Sequence, residues 1–167
     1  MAKKEEYKQR NIDFLKEISQ KEGVQRHPSG IMYQIVQQGT GTQSPNLRSI
    51  VSVHYRGTLI NGREFDNSWK RGCPEALRVS DVIEGWRIAL QQMHVGDRWV
   101  IYIPSELGYG SRTSGPIPAC STLIFEIELL NVFLMLRCLI RRFYNLLPLI
   151  FYKKIFCSSV FLIIGVL

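Results

Sequence analysis

The side chains that most often carry chemistry are placed in this chain in a way that removes several mechanisms at once. Cys73, Cys120, Cys138 and Cys157 include no C-x-x-C pair, and His27, His54 and His94 are equally dispersed. No metal-ligand spacing exists, and neither a metal nor any other cofactor is called for. No obvious nucleophile stands out. Gly39-Thr-Gly-Thr42 begins like a phosphate-cradling loop, but Ser44 stands where the third glycine belongs and no helix follows. Aromatic side chains such as Tyr55, Trp86, Tyr109 and Phe125, and carboxylates such as Asp66 at the end of a strand, are left to be weighed one by one. On spacing alone each has an ordinary reading. Trp86 would be core packing, Tyr55 and Phe125 inward strand residues, and Asp66 a solvated turn or cap residue. Tyr109, between Gly108 and Gly110, is the least core-like, because flanking glycines suit an exposed loop.

A helix must position Trp86. Over Val82–Met93 the apolar spacing turns helical: Ile83, Trp86, Leu90 and Met93 recur at three- and four-residue intervals and share one face. Ser80 and Asp81 are expected to start this helix, since their oxygens accept from unpaired N–H groups of a first turn. The flanking segments read as strands, and one amphipathic helix among strands is best buried by a sheet wrapped across its apolar face. Trp86 would then sit on the floor of a pocket at that end.

The strands follow from alternation. Ile31–Gln37 presents Ile31, Tyr33 and Ile35 as a core face. Ile50–Ile60 sets Val51, Val53 and Tyr55 against Ser52, His54 and Arg56. Asn61-Gly62 predicts a tight hairpin with positive φ at both positions, returning through Arg63–Asp66. Asn67–Pro74 reads as a polar loop and Ala76–Val79 as a short strand. Trp99–Ile103 is stopped by Pro104. Thr122–Val132 alternates Leu123, Phe125, Ile127 and Leu129 against Glu126 and Glu128. Residues 105–121 form a long loop dense in Gly, Ser and Pro, of a length that is usually functional. A helix is expected over residues 3–22, with Phe14, Leu15 and Ile18 as a narrow apolar patch. It is expected to be either a dimerisation or docking arm, or a helix packed on its own domain or frayed. The fold class expected is α+β, a curved antiparallel sheet wrapped around one short helix, with a short N-terminal helix. The chain divides into an arm (1–24), a domain (25–132) and a hydrophobic, basic tail (133–167).

Most of the net charge of +7 belongs to that tail. Five of the 21 Lys and Arg lie after Asn131, leaving 16 against 14 acids, so the rest of the chain carries only +2. No basic stripe with interleaved aromatics appears in the body, which argues against nucleic-acid binding. The N-terminus has no apolar run of the signal-peptide kind, and a cytoplasmic location with free thiols is expected. The tail is cut by its charges into runs shorter than the ~20 apolar residues of a membrane span. It reads either as a membrane anchor or interfacial segment, or as an aberrant extension. The second is the expectation, because neither helical spacing nor strand alternation holds through it.

Six pieces, taken in order, resemble one family. Val51-Ser-Val-His-Tyr-Arg-Gly57, Gly62-Arg-Glu-Phe-Asp66, Val82-Ile-Glu-Gly-Trp86, Met93-His-Val-Gly-Asp97, Gly108-Tyr-Gly110 and Ser121-Thr-Leu-Ile-Phe-Glu-Ile-Glu-Leu129 resemble FKBP-type peptidyl-prolyl cis-trans isomerases, over about Ile31–Val132. The N-terminal arm is similar to that of bacterial members, some of which dimerise, so a homodimer is among the expectations. The resemblance implies an isomerase acting on X-Pro bonds during folding, through an apolar pocket and without covalent chemistry. It implies Tyr55, Asp66 and Tyr109 as the catalytic polar set, and Phe65, Leu77, Val82, Ile83, Trp86, Ile117 and Phe125 as the substrate-binding wall. The Ile83 N–H and the Tyr109 hydroxyl would donate to carbonyls flanking the proline ring. Partners would be proline-containing polypeptides and macrolides such as tacrolimus or rapamycin. The chain departs from the pattern at Glu75 and Leu77, where many members have aromatics, at Leu107, often Tyr, and at Ala119-Cys120, often Pro-Asn or Pro-His. Glu75 is expected to weaken binding of acidic substrates and of macrolides. The alternative these departures allow is a catalytically weak peptide-binding or chaperone module on the same scaffold.

Overall fold

The computed structural model describes residues 2–133. The readings made of the tail from residue 134 onward, with Cys138 and Cys157, lie outside the described residues.

Among the described residues, seven strands form one antiparallel sheet: β1 (Gln25–Arg26), β2 (Met32–Gln37), β3 (Ile50–Leu59), β4 (Glu64–Asn67), β5 (Glu75–Arg78), β6 (Arg98–Ile103) and β7 (Leu123–Phe133). Their spatial order is β1-β2-β6-β7-β3-β4, with β5 also on β3. β3 is therefore the hub. It pairs with β7 along its whole length, with β5 through Ile50–Val53 and with β4 through Arg56–Thr58. Its alternation is the one the sequence predicts, with Val51, Val53, Tyr55 and Leu59 buried. Opposite them on β7, Leu123, Phe125, Ile127 and Leu129 face the same core.

The helix inside the sheet, α3, spans only Glu84–Leu90, shorter than the twelve residues the periodicity predicts. Val79–Asp81 forms a separate 3₁₀ turn, and Ile83, not Ser80 or Asp81, occupies the N-cap without a side-chain cap bond. The Ser80 hydroxyl donates to Asp81 instead. Of the apolar stripe, Trp86, Leu90 and Met93 are buried in the main core with Ala89, Ile101, Ile103 and Ile127, while Ile83 packs against it half-buried. Periodicity marks which side chains must be buried, and the Ile83 N-cap and the Leu90–Met93 turn place theirs against the core without continuing the α-helix.

Two local expectations fail for identifiable reasons. Gly62 alone has positive φ in the β3–β4 connection. The Gly62 N–H donates to Leu59 O (2.9 Å), and the Asn61 side chain accepts from the Arg63 N–H (3.0 Å). This is the three-residue hairpin, a type I turn followed by a left-handed glycine, rather than the two-residue form. The polar loop after β4 contains a short helix, α2 (Ser68–Arg71), capped by the Asn67 side chain on the Lys70 N–H and closed at Gly72.

α1 (Ala2–Ile18) lies on the outer face of the sheet. Phe14, Leu15 and Ile18 pack with Met32, Val100, Tyr102 and Ile124 in a second apolar cluster. β2 is thus covered on both faces near its start, through Ile31 and Met32, while Ile35 of the predicted core face is exposed. As in most protein helices, tertiary packing of this apolar face supplies most of α1's stability. Asp97, buried between α3 and β6, accepts from the Gly39 N–H (2.6 Å) and the His94 N–H (2.8 Å). The glycine-rich loop is a latch on that carboxylate. Among the described residues, no helix is long and apolar enough to cross a membrane.

Candidate active site

A pocket of ≈460 Å³ opens where α3 begins. Each of the ten site residues named from the sequence lines it: Tyr55, Asp66, Tyr109, Phe65, Leu77, Val82, Ile83, Trp86, Ile117 and Phe125. They come from β3, β4, β5, the start of α3, the 105–121 loop and β7, so only the closed sheet assembles them.

Edge-to-face contacts hold the aromatic wall. Trp86 meets Tyr55 and Phe125, each with ring centroids 5.1 Å apart and planes near perpendicular, and Phe125 meets Phe65 at 5.5 Å. This is the arrangement that ring quadrupoles favour. Gly57 makes it possible. A Cβ there would lie 2.5 Å from the Phe65 ring and 2.8 Å from that of Phe125, so both rings rest against bare backbone of β3.

The polar rim is built on Asp66. Tyr55 Oη donates to Asp66 Oδ2 (2.5 Å), the Asn67 N–H donates to Oδ1 (2.8 Å), and Arg71 pairs with Oδ1. Arg71 also donates to the Tyr55 hydroxyl (3.2 Å) and to Glu75 (3.1 Å), and lies over the Tyr55 ring. Burial, reinforced by the hydrogen bond to Asp66, pushes the Tyr55 hydroxyl up to about 12. Burial alone would raise Asp66, but the hydrogen bonds from Tyr55 and Arg71 outweigh it and hold this carboxyl below its ordinary value. At neutral pH the rim is therefore a neutral phenol locked onto an ionised carboxylate.

Tyr109 stands apart from this network. The donors to Asp66 are Tyr55, Asn67 and Arg71, and Tyr109 is not one of them. Its side chain is 40% exposed at the pocket wall, and among the described residues its hydroxyl makes no hydrogen bond. The Ile83 N–H is likewise unbonded among the described residues. Both residues line the pocket, and each has a donor without a partner among the described residues.

Sequence reasoning missed Arg71. It lies in what reads as a polar loop, and only the Asn67 and Gly72 capping pair could have revealed the helix that turns it toward Asp66. It also changes the meaning of Glu75, which is engaged by Arg71 and is not among the residues lining the pocket. Asp81, Ser114, Gly115 and Pro116 complete the lining without having been named as site residues.

A curved antiparallel sheet closed over one short helix, with an aromatic pocket at the helix start, is the architecture of FKBP-type domains. The profile of FKBP-type peptidyl-prolyl cis-trans isomerases matches residues 41–130, and that of the domain amino-terminal to it matches residues 1–35. This chain belongs to the FKBP-type peptidyl-prolyl cis-trans isomerase family. It is 45% identical over 119 residues to the FKBP-type peptidyl-prolyl cis-trans isomerase FkpA of Buchnera aphidicola subsp. Acyrthosiphon pisum, covering 71% of this chain and 49% of that one. It is also 45% identical over 122 residues to the FKBP-type 22 kDa peptidyl-prolyl cis-trans isomerase of Escherichia coli K12, covering 72% and 59%. Among solved structures, FkpA from Escherichia coli superposes with a TM-score of 0.73 at 38% identity, over 77% of this chain and 60% of that one. A peptidyl-prolyl cis-trans isomerase from Pseudomonas syringae pv. tomato gives 0.72 at 35%, over 78% and 96%. The chain spans about half to three-fifths of the length of these two sequence relatives.

Proposed function

We propose that this domain accelerates cis–trans rotation about X-Pro bonds in polypeptides, with the proline ring seated on Trp86. The observation that carries this reading is the joining of an apolar aromatic floor to two unbonded donors, the Ile83 N–H and the Tyr109 hydroxyl, at the pocket wall.

The reaction breaks no covalent bond. Its barrier of ~20 kcal/mol is the amide resonance lost as the bond twists. A twisted amide carries less charge separation than a planar one and depends less on hydration. A pocket walled by Tyr55, Phe65, Trp86 and Phe125 therefore disfavours the planar ground state more than the transition state, which is differential binding in the required direction. Donors that grip the flanking carbonyls supply orientation. Asp66 acts by fixing Tyr55, and Tyr55 in turn buttresses Trp86 edge-on. Uncatalysed rotation takes tens of seconds or more, so proline-containing chains that are still folding are the natural substrates. The same pocket suits macrolides such as tacrolimus or rapamycin. Glu75 weakens that fit less than its charge alone suggests, because Arg71 holds it.

The test is isomerisation of short X-Pro peptides by the full chain, beside Tyr109→Phe and Asp66→Ala. Acceleration by the wild type that falls in both folded variants supports the assignment. A folded wild type that accelerates none of a series of peptides differing before the proline overturns it.

A further inference from the structure

We infer that Asn11, on the N-terminal helix, is a positioning residue for the pocket, and that through it α1 braces the wall carrying Ile117. This rests on the isomerase reading for its kinetic consequence, though not for its structural one.

Asn11 is 2% exposed in the middle of a helix whose neighbours are mostly charged. Asparagine is a poor helix former because its side chain competes for backbone partners, so its presence there needs a reason. Its side-chain amide is engaged at both ends. Nδ2 donates to Tyr7 O (2.8 Å), and Oδ1 accepts the Thr122 N–H (2.7 Å). Thr122 Oγ1 returns a longer bond to Asn11 O (3.4 Å), so the two residues clasp each other across 111 positions of sequence. One turn earlier, Tyr7 Oη lies 2.9 Å from Ser121 Oγ. Ser121 Oγ gives its single proton to Pro118 O (2.7 Å), which makes Tyr7 the donor in that pair.

These contacts converge on the closing end of the 105–121 loop. Pro118 follows Ile117, which is 4% exposed and lines the pocket. Thr122 leads directly into β7, three residues before Phe125. Cys120 N–H donates to Gly110 O (2.8 Å), tying the same end of the loop to the segment after Tyr109. Neither Tyr7 nor Asn11 lines the pocket. They reach it only through the loop they hold, so removing them leaves every pocket side chain in place while loosening one wall. A looser wall reduces the fraction of molecules ready to bind, which raises KM and leaves the bound complex's turnover nearly intact.

The experiment compares the full chain with Asn11→Ala, Tyr7→Phe, Ile12→Ala and Val132→Ala. Tyr7→Phe keeps the ring and guards against an Asn11→Ala protein that fails to fold. Ile12→Ala changes an exposed position of the same helix, and Val132→Ala destabilises the core at the far end of β7. Amide hydrogen exchange over residues 114–122 is read together with kcat and KM for a short X-Pro peptide. In Asn11→Ala, exchange there is expected to rise about tenfold or more, because a buried donor loses its acceptor. KM should rise about fivefold while kcat stays within about twofold. Tyr7→Phe should move in the same direction by less, Ile12→Ala should match the wild type, and Val132→Ala should lose stability without the KM change. Wild-type exchange and KM in folded Asn11→Ala and Tyr7→Phe would overturn the brace. So would an equal KM rise in Val132→Ala, which would make the effect one of general stability. Should the wild type turn over no peptide, the isomerase reading falls, and hydrogen exchange alone still decides whether α1 holds the loop.

Discussion

Gly57→Ala offers the sharpest test of how the aromatic wall is built. The added Cβ would lie 2.5 and 2.6 Å from two carbons of the Phe65 ring and 2.8 Å from one of Phe125. Ordinary carbon contacts are ~3.5–4.0 Å, so the rings must retreat by about 1 Å. Phe125 is 5% exposed and bounded by the edges of Trp86, Tyr55 and Phe65, so it has little room. Phe65 is only half buried and yields first. Overpacking of this kind costs about 1–3 kcal/mol, which for a domain of this size lowers Tm by about 3–10 °C. Displacing a wall ring by ~1 Å is expected to lower kcat/KM for an X-Pro peptide by about ten- to a hundredfold. Differential scanning calorimetry and peptide turnover on the same preparation measure both. Adding Phe65→Leu to Gly57→Ala should recover part of the stability, because the clash is shared by the pair, while leaving the wall without its ring. A Gly57→Ala protein with unchanged Tm and unchanged turnover would refute the claim that bare backbone at this position shapes the pocket.

The Tyr55–Asp66 pair makes stability depend on pH at both extremes. Asp66 titrates lower folded than unfolded, so its stabilisation is present above its ordinary value of 3.8 and is lost as pH falls through the folded value. Tyr55 titrates higher when folded, so its contribution is complete below its ordinary value of 10.0 and lost as pH rises through about 12. Tyr55→Phe should remove the alkaline component in urea titrations, and an unchanged alkaline profile would show that Tyr55 is not its source. Cys120 is the one non-glycine with positive φ among the described residues (φ 61). Cys120→Gly should raise stability by about 1 kcal/mol in chemical denaturation, since the left-handed region costs a side chain ~1–2 kcal/mol; a loss of stability would contradict this. Asp97→Ala strands two backbone donors, those of Gly39 and His94, and should cost about 2–4 kcal/mol in the same assay. A variant as stable as the wild type would mean the latch is dispensable.

The parts of this molecule legible in its sequence are those where one side chain must be wet and its neighbour dry. The alternation on β3 and β7 marks their core faces correctly because each packs one face against the same interior. β2 is harder to read, because α1 covers Met32 on the face that alternation assigns to solvent. The stripe through Trp86, Leu90 and Met93 marks burial faithfully and helix length poorly, since a tight turn after Leu90 buries Met93 as well as a helix would. The site residues are reached through resemblance. Periodicity alone assigns Trp86 to core and Asp66 to solvent, and both readings omit the contact between them through Tyr55. Arg71 escapes because α2 is one turn long and too short to show a period. Cys120 holds a left-handed backbone, a conformation that Asn and His tolerate better, and the sequence of this chain alone could not display it.

The position of β3 at the centre of the sheet sets the order in which this chain can fold as it is made. β3 is complete at Leu59, but the neighbour that pairs with it along its length is not complete until Phe133. β6 waits for the same strand. Until β7 arrives, β2 with β6 and β3 with β4 and β5 are two separate ribbons whose inner edges stand open. Closing contacts so distant along the chain is intrinsically slow. A growing chain therefore carries the open edge of β3 from Leu59 onward, and that of β6 from Ile103 onward, until a single late strand both seals them and completes the pocket.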